Sequence, residues 1–557
     1  MEAKKSEKNT FFYIAIAVAV VLQILRAFFS TDISTFDEAQ YLVNGLQLCN
    51  GSALLVDDWN ATQLSGLFNA PFILLFKIFT KGTDGAILYL RFVFIAIKAV
   101  ICLWAVKRSE LSENNAIPLK VTSLVSLIYS LSTMNTISYN TIMMLAGYMM
   151  VMILLTYRDE MKDRVFLGVL LSFAVLSNPY AILLYLFFIV YAVVLCILKK
   201  TTPSKAFHGI VDITLGAIPL AIIFFIVAFA GSGVREVFAN VGNILASPDH
   251  DMVSMGPIYT MLAKTWYFIN KTGFLYSKVT LAGIAEVIIA FVFAIKKRKE
   301  NAYPFVLAIT AMMLIYILVR NGNFVENYIF IPFIYLALSL LILEFSVRRL
   351  VIFIFTSLII ECVGIGTVTG VVTVSGFCSL FCVLIAEMLS LPDRLKKITN
   401  YIPAVTVILV LILQMARNWT GPTDLSSLNN PVTRGPLKGT FLPDGIYEEY
   451  NAKMDEFERA GVSKTDSVFC AVYEPLVYSY YDIPMGGTFF YYEPDRDIEY
   501  LSTHKDKDFT VMYFAKKVPY SDITDLAFSS DEERIVKTVW KNYEVKEFPG
   551  SFFVFKR

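Results

Sequence analysis

Charge is scarce in this chain. Only 17% of the 557 residues are Asp, Glu, Lys or Arg, against 56% hydrophobic, and the mean hydropathy of +0.60 argues against a water-soluble globular protein. Acids and bases nearly cancel, at a formal net charge of +1. No basic block beyond short loop clusters is present to neutralise phosphates in series, which argues against a nucleic-acid partner. The seven cysteines lack paired metal-ligand spacing. Five of them fall in apolar runs as small hydrophobes, and only Cys49 and Cys470 lie in polar segments, where a disulfide stays open. A Gly-rich phosphate loop is missing, as is an internal repeat of the kind many transporters show. The first apolar run has no small-residue cleavage site behind it, so it reads as a signal anchor rather than a removable leader.

What the chain does have is long hydrophobic runs. About 20 apolar residues cross a bilayer, and this reads spans near 11–29, 84–106, 118–134, 138–157, 164–177, 179–198, 207–230, 279–296, 302–319, 325–345, 349–367, 370–390 and 401–416, about thirteen in all. Pro179 cannot continue a helix, so the runs on either side of it are two short helices or one kinked one. Lysine and arginine collect at every second crossing, from Lys4, Lys5 and Lys8 to Arg394, Lys396 and Lys397. By the positive-inside rule the N-terminus is cytoplasmic, and loops 30–83, 231–278 and 320–324 lie outside with everything after 417. The expectation is a polytopic α-helical membrane protein with a membrane region over 1–416 and an extracytoplasmic α/β domain over 417–557. Its roughly 140 residues are enough for an independent core. Strand patterns fall at 467–472, 508–514, 535–545 and 551–555, and helical patterns at 447–460 and 474–481.

The outside loops carry the candidate chemistry. The first opens with an acidic pair in Phe36-Asp37-Glu38-Ala39-Gln40-Tyr41, followed by Asp57-Asp58-Trp59-Asn60 and an apolar run, 64–79. That run is interrupted by Asn69 and Pro71 and reads as an interfacial segment rather than a span. A carboxylate at the membrane surface suits proton transfer from an acceptor hydroxyl, with its neighbour orienting it or holding a divalent cation. The alternative reading is that the pair caps a helix, whose N-terminal end favours acids. Arg91, about two turns into the second span, either reaches a lipid phosphate or snorkels to the headgroups. Lys98, Glu286 and Glu361 sit deeper, where a charge must be paired or face a cavity. The loop 231–278 reads as a cover over the site, with Asp249-His250-Asp251 a helix-ending cluster rather than a metal site. In the tail, Tyr478, Tyr480, Tyr481, Phe489, Phe490, Tyr491 and Tyr492 suit either sugar stacking or core packing. Asn60, Asn270 and Asn418 stand in acceptor triplets for N-glycosylation.

The acidic pair, the long first outside loop, residues 85–92 opening the second span, Asn323-Phe324-Val325-Glu326-Asn327-Tyr328-Ile329-Phe330-Ile331-Pro332 opening a late one and a C-terminal domain outside together resemble the GT-C superfamily of lipid-phosphosugar glycosyltransferases. The protein O-mannosyltransferase and aminoarabinose-transferase branches are the most similar. The resemblance covers roughly the first 420 residues. It implies an inverting transfer from a polyprenyl-phosphate sugar to a glycan, lipid or protein acceptor outside the membrane. Asp37 is then the base and Glu38 its partner, with Arg91, Arg320 and Tyr328 at the carrier phosphate. Asp58, Asn60, Asn135, Tyr139, Asn140 and Asn327 are placed by it at the sugar or acceptor. Two departures from the family pattern stand out: Asn327 occupies the place of a basic residue, and the turn 134–139 lacks a second acid. A bacterial plasma membrane is the expected location. A transporter or lipid flippase and a non-catalytic envelope-assembly protein are the competing classes.

Overall fold

The computed structural model describes residues 2–30, 37–60, 62–112, 116–128, 135–245, 259, 262–263, 266, 277–321, 330–365, 378–389, 425–471, 474–480, 482, 485–486, 494–504, 507–517 and 527–557. The membrane region is built from α1 (Glu2–Ala27), α2 (Asp37–Cys49), α3 (Gly66–Thr80), α4 (Ala86–Ser109), α5 (Ala116–Ile128), α6 (Tyr139–Leu155), α7 (Met161–Ser177), α8 (Ile182–Ile197), α9 (Pro203–Ala230), α10 (Val234–Leu245), α11 (Ser277–Ile295), α12 (Lys299–Asn321), α13 (Phe330–Leu343), α14 (Val347–Ile365) and α15 (Cys378–Met388). Among the described residues seven helical stretches are long and apolar enough to cross a bilayer, Tyr139–Leu155 and Ile331–Leu343 being shorter apolar helices. The chain is therefore a multi-pass membrane protein. Thirteen spans were expected. The run 401–416 lies outside the described residues, and Gln63–Thr80, read as interfacial, has the length and apolarity of a span.

Two local rules shape the bundle. Gly168 on α7 and Gly216 on α9 face each other so closely that a Cβ on either would meet a backbone oxygen of the partner helix, Ile213 O at 1.8 Å and Val165 O at 1.9 Å. Small residues let helix backbones touch in this way. At residues 177–182 the chain breaks as Pro179 requires. Asn178 accepts a hydrogen bond from Tyr180 N at 3.1 Å through its side chain and donates to Cys362 O at 3.1 Å, tying the break to α14.

The C-terminal region adds β1 (Asn430–Pro431), β2 (Phe441–Leu442), α16 (Asp444–Ala460), β3 (Val468–Cys470), α17 (Leu476–Tyr480), β4 (Met485–Gly486), α18 (Pro494–Thr503), β5 (Val511–Ala515), α19 (Ser530–Val539), β6 (Tyr543–Glu547) and β7 (Ser551–Lys556). Five strands form a sheet in the order β4-β3-β5-β7-β6, parallel from β4 to β5 and antiparallel across β5, β7 and β6. Alternation divides its faces. Val468, Cys470, Val511, Tyr513, Ala515 and Phe553 pack under α16, whereas Phe469, Met512, Phe514, Phe552 and Val554 meet α18 and α19. One expectation fails here, since residues 535–545 were read as a strand. The first half is α19, whose start is fixed by a capping box in which Ser529 and Glu532 satisfy each other's backbone amides.

The tail packs on the membrane region through both faces of its sheet. Its α16 face shares one core with Ala39, Leu42, Val43 and Leu46 of α2 and with Ala86, Ile87 and Leu90 of α4. The opposite face receives Trp59, which is 1% exposed. Trp59 Nε1 donates to Asn240 Oδ1 on α10 at 2.8 Å and packs edge-on against Tyr500 and His504. Tyr500 Oη donates to Asp57 O at 2.6 Å, His504 Nε2 lies 3.0 Å from Val56 O, and Lys507 pairs with Asp57 at 2.9 Å. In the last turn of α3, Lys77 pairs with Asp482 at 2.7 Å, and just past the helix Thr83 donates to Ser479 O at 2.6 Å. The loop before α3 and the C-terminal end of α3 thus both touch the tail. Cys49 and Cys470 are both free; Cys49 Sγ donates to Ala70 O at 3.3 Å, so no disulfide joins loop to tail.

Replacing Trp59 with Ala removes the aromatic wedge between loop and sheet and should cost about 3–5 kcal/mol of stability. Hydrogen exchange of the β3, β5 and β7 amides is the measurement. An independently folded tail keeps its protection in the variant, whereas the shared core described here loses it.

Candidate functional site

Asp37 and Glu38 form the first turn of α2. The acids sit where unpaired amides and the helix dipole favour them, so local physics alone accounts for their position at a helix start. Their fates then separate. Glu38 is 1% exposed and Arg91 2%, and the two form an ion pair: Arg91 Nε donates to Glu38 Oε2 at 3.1 Å, and Nη2 pairs with the same oxygen. Glu38 Oε1 accepts from Asn135 N at 2.9 Å. Arg91 Nη1 donates to Ala27 O at 2.6 Å and Phe29 O at 3.1 Å, the last carbonyls of α1 and its exit. Asp37 stands one residue earlier, half-buried.

The sequence reads Arg91 at a carrier phosphate or among the headgroups; in the structure it is buried and bonded to protein. All three guanidinium nitrogens are engaged by protein. Arg91 joins α4 to α1 and α2, and Glu38 carries the link on to Asn135. Glu38 has both carboxylate oxygens bonded, Oε2 to Arg91 and Oε1 to Asn135 N.

Around the pair runs a seam of neutral polar side chains. Gln40 donates to Asn44 Oδ1 at 2.7 Å, and Asn44 donates to Thr62 O and Ser65 Oγ, both at 3.2 Å. Asn69 is 0% exposed and donates to Tyr41 O at 3.2 Å and Ile137 O at 2.9 Å, pinning α2 and the approach to α6 onto α3. Sequence reasoning treated Asn69 and Pro71 only as interruptions. The helix runs through both, since Asn69 finds carbonyl partners on neighbouring segments and Pro71 forfeits one N–H bond. Buried oxygens of Gln40, Asn69, Asn135, Thr136 and Asn140 have no hydrogen-bond partner among the described residues.

Of the residues singled out, Asn135 comes to Glu38, the Tyr139 ring lies 6.1 Å from that of Tyr41, and Asn140 is buried beside it at the start of α6. Asp58 and Asn60 belong elsewhere. Asp58 Oδ1 accepts from Asn60 N at 2.8 Å, and Asn60 Oδ1 accepts from Thr62 N and Oγ1, both at 2.8 Å. These are turn contacts at the far side of Asn44, which is seven residues or about 10 Å along α2 from Asp37. Buried to 2% exposure, Asn60 also makes a poor glycosylation acceptor. Asn327, Tyr328 and the cluster 249–251 lie outside the described residues, as do Asn270 and Asn418. The side chain of Arg320 does too, although the residue falls in α12, which packs on α11 and α13. Tyr478 and Tyr480 are core residues of the tail; Tyr478 Oη accepts from Cys470 N at 2.9 Å, and burial pushes its phenol well above the ordinary range. Groups of three or more His, Cys, Asp or Glu side chains able to hold a metal are absent among the described residues.

No protein-family model matches the chain, and no curated protein matches it. Among solved structures it is similar to the archaeal oligosaccharyltransferase AglB from Archaeoglobus fulgidus in complex with an inhibitory peptide and a dolichol-phosphate, with a TM-score of 0.48 and 10% identity over 100% of this chain and 74% of that one. An Archaeoglobus fulgidus oligosaccharyltransferase with Zn and sulfate gives 0.47 and 11% identity over 97% and 72%. The enzyme tethered to an acceptor peptide containing the NVT sequon gives 0.42 and 12% over 100% and 74%. At these values the likeness assigns neither family nor activity.

Proposed function

We propose that this protein is a membrane-embedded glycosyltransferase of the GT-C type, moving a sugar from a polyprenyl-phosphate donor to an acceptor hydroxyl on the outer side of a bacterial plasma membrane. The observation that carries the reading is the unequal treatment of the two carboxylates. Glu38 is neutralised by Arg91 and bonded at both oxygens, which holds Asp37 at the head of α2, between the end of α1 and the Asn135 segment. Asp37 is the general base. As the acceptor oxygen attacks the anomeric carbon, its proton passes to the Asp37 carboxylate and the new C–O bond forms. The bond from sugar to carrier phosphate breaks, and the polyprenyl phosphate leaves with the electron pair, inverting the anomeric centre. Neutral amides from α2, α3 and the start of α6 suit hydrogen bonding to sugar hydroxyls near this point. The leaving phosphate calls for a cation close to the bilayer surface. The orientation places the N-terminus in the cytoplasm and the tail outside, on the side where the first loop packs against it.

Asp37→Asn preserves shape and helix capping but cannot accept a proton. Transfer of radiolabelled sugar by the purified protein should fall about 100- to 10,000-fold while donor binding persists. An aspartate that only caps α2 leaves activity near normal, and that outcome excludes the mechanism. Arg91→Met strands the Glu38 charge and should destabilise the protein by about 3–5 kcal/mol, whereas Arg91→Met with Glu38→Leu should recover most of that loss. Thermal unfolding in detergent reads both; an equal loss in single and double variants speaks against a structural pair. For orientation, cysteines replacing Leu425 or Ser530 should react with an impermeant maleimide on intact cells, and those replacing Arg298 or Lys397 should not.

A further inference from the structure

The outer face of α10 has no part in the site described above. This helix follows α9 after three residues, and Gly233, at φ +89°, turns the chain between them. With 28 residues, α9 is about 42 Å long against about 30 Å of hydrocarbon, enough to reach the bilayer surface on both sides. Its C-terminal end lies on the tail's side of the membrane. Gly231 there packs so closely on the first loop that a Cβ would stand 3.0 Å from the Ala53 Cβ.

Three sectors run along α10. Each residue turns the helix by about 100°, so Val237, Asn240 and Ile244 share an arc of roughly 60°. That arc belongs to the tail. Val237 and Ile244 are buried, Ile244 in the core on the second face of the sheet, and Asn240 Oδ1 accepts from Trp59 Nε1 at 2.8 Å. The amide is held in this orientation because its Nδ2 donates to Glu236 O at 3.0 Å. Val234 and Phe238 lie about 90–130° round from the middle of the arc. Both are exposed, at 52% and 69%. Arg235, Glu236 and Ala239 are exposed as well and fill the remaining side.

The neighbouring span shows what covers the apolar sector. Ile218, Ile222, Phe225 and Ile226 are exposed on α9, and exposed apolar side chains on a membrane span face lipid. That band runs to within four residues of the end of α9, and Val234 and Phe238 continue it just past the turn. An amphipathic helix in this position lies in the plane of the interface with its apolar side in the acyl boundary.

We infer that α10 is a membrane-docking helix: Val234 and Phe238 sit in the lipid on the tail's side, Val237, Asn240 and Ile244 carry the tail, and Trp59 joins the two. Lipid contact then fixes Asn240, and Asn240 fixes the indole wedged between loop and sheet. The contact is independent of the reaction assigned above.

A single new cysteine labelled with a nitrobenzoxadiazole fluorophore, in the full-length protein in nanodiscs of phosphatidylcholine and phosphatidylglycerol, tests the docking, with labelled wild type as the blank for the native cysteines. At Phe238→Cys the emission should shift to the blue and lose most of its intensity when doxyl-labelled phosphatidylcholine is included; Val234→Cys repeats the measurement if that variant folds poorly. At Arg235→Cys the emission should be water-like and insensitive to the doxyl lipid. A water-like signal at both 234 and 238 overturns the docking. So does a blue-shifted signal that doxyl lipid leaves untouched, which identifies a protein cover from this chain or a second copy. Quenching at 235 as strong as at 238 overturns the division into sectors. The link to the tail is read by hydrogen exchange of the α18 amides in the same nanodiscs. Phe238→Glu, which expels the sector from lipid, should speed that exchange, and a rate equal to the wild type's overturns the link between bilayer and sheet.

Discussion

One guanidinium group ties the end of α1 to the start of α2. Arg91 reaches from the second long span to the carbonyls that end α1 and to the carboxylate in the first turn of α2. A buried ion pair contributes little net stability, because desolvation offsets most of the attraction, but breaking one partner is severe. Its value lies in geometry. The pair leaves one orientation for the head of α2, and the Asn135 amide on the far oxygen of Glu38 locks the remaining freedom. Asp37, one residue before Glu38, sits at the head of the helix that this pair orients.

The same helix α4 is held from the other side by the tail. Gly85 N and Ile87 N, among the amides a helix start leaves unpaired, donate to Gly435 O at 3.0 Å and Pro436 O at 3.2 Å. Phe441 N donates to Phe28 O at 2.8 Å and Ser30 N to Phe441 O at 3.0 Å, so the chain leaving α1 makes one parallel bridge to β2. The tail therefore closes the frame around Arg91 as well as covering the loop. Its sheet is packed on both faces with the help of first-loop residues, and the α2 stripe of Ala39, Leu42, Val43 and Leu46 has its apolar partner there.

The sequence told most where a rule is local. Apolar runs marked the helices, alternation marked β3, β5 and β7, and an acidic pair before an amphipathic stretch marked the start of α2. The failures are of two kinds. The Ser529-Ser530-Asp531-Glu532 signal for α19 was present, but the apolar spacing after it was read with the wrong period. Other features have no local signature. Nothing near Arg91 announces that its partner is Glu38, 53 positions away, and an arginine in a span is equally compatible with a ligand or a headgroup. Asn69 looked like an interruption because its partners, Tyr41 O and Ile137 O, are backbone atoms that no pattern encodes. Asp58 and Asn60 spend on a turn the same kinds of side-chain atoms that bind sugars, a use that no local pattern distinguishes.

The shared core between loop and tail also bears on biosynthesis. Asn50 and Asp482, hydrogen-bonded in the finished molecule, are 432 positions apart. At roughly 5–20 residues per second, the ribosome needs roughly 20 to 90 s to deliver the second after the first. Through that interval the apolar stripe of α2 has no sheet to meet and must rest against the lipid surface or be shielded by a chaperone. A truncation that removes the last strand prolongs that exposure indefinitely, so nascent chains cut short near the C-terminus should be favoured substrates of membrane quality control even when every span has been inserted.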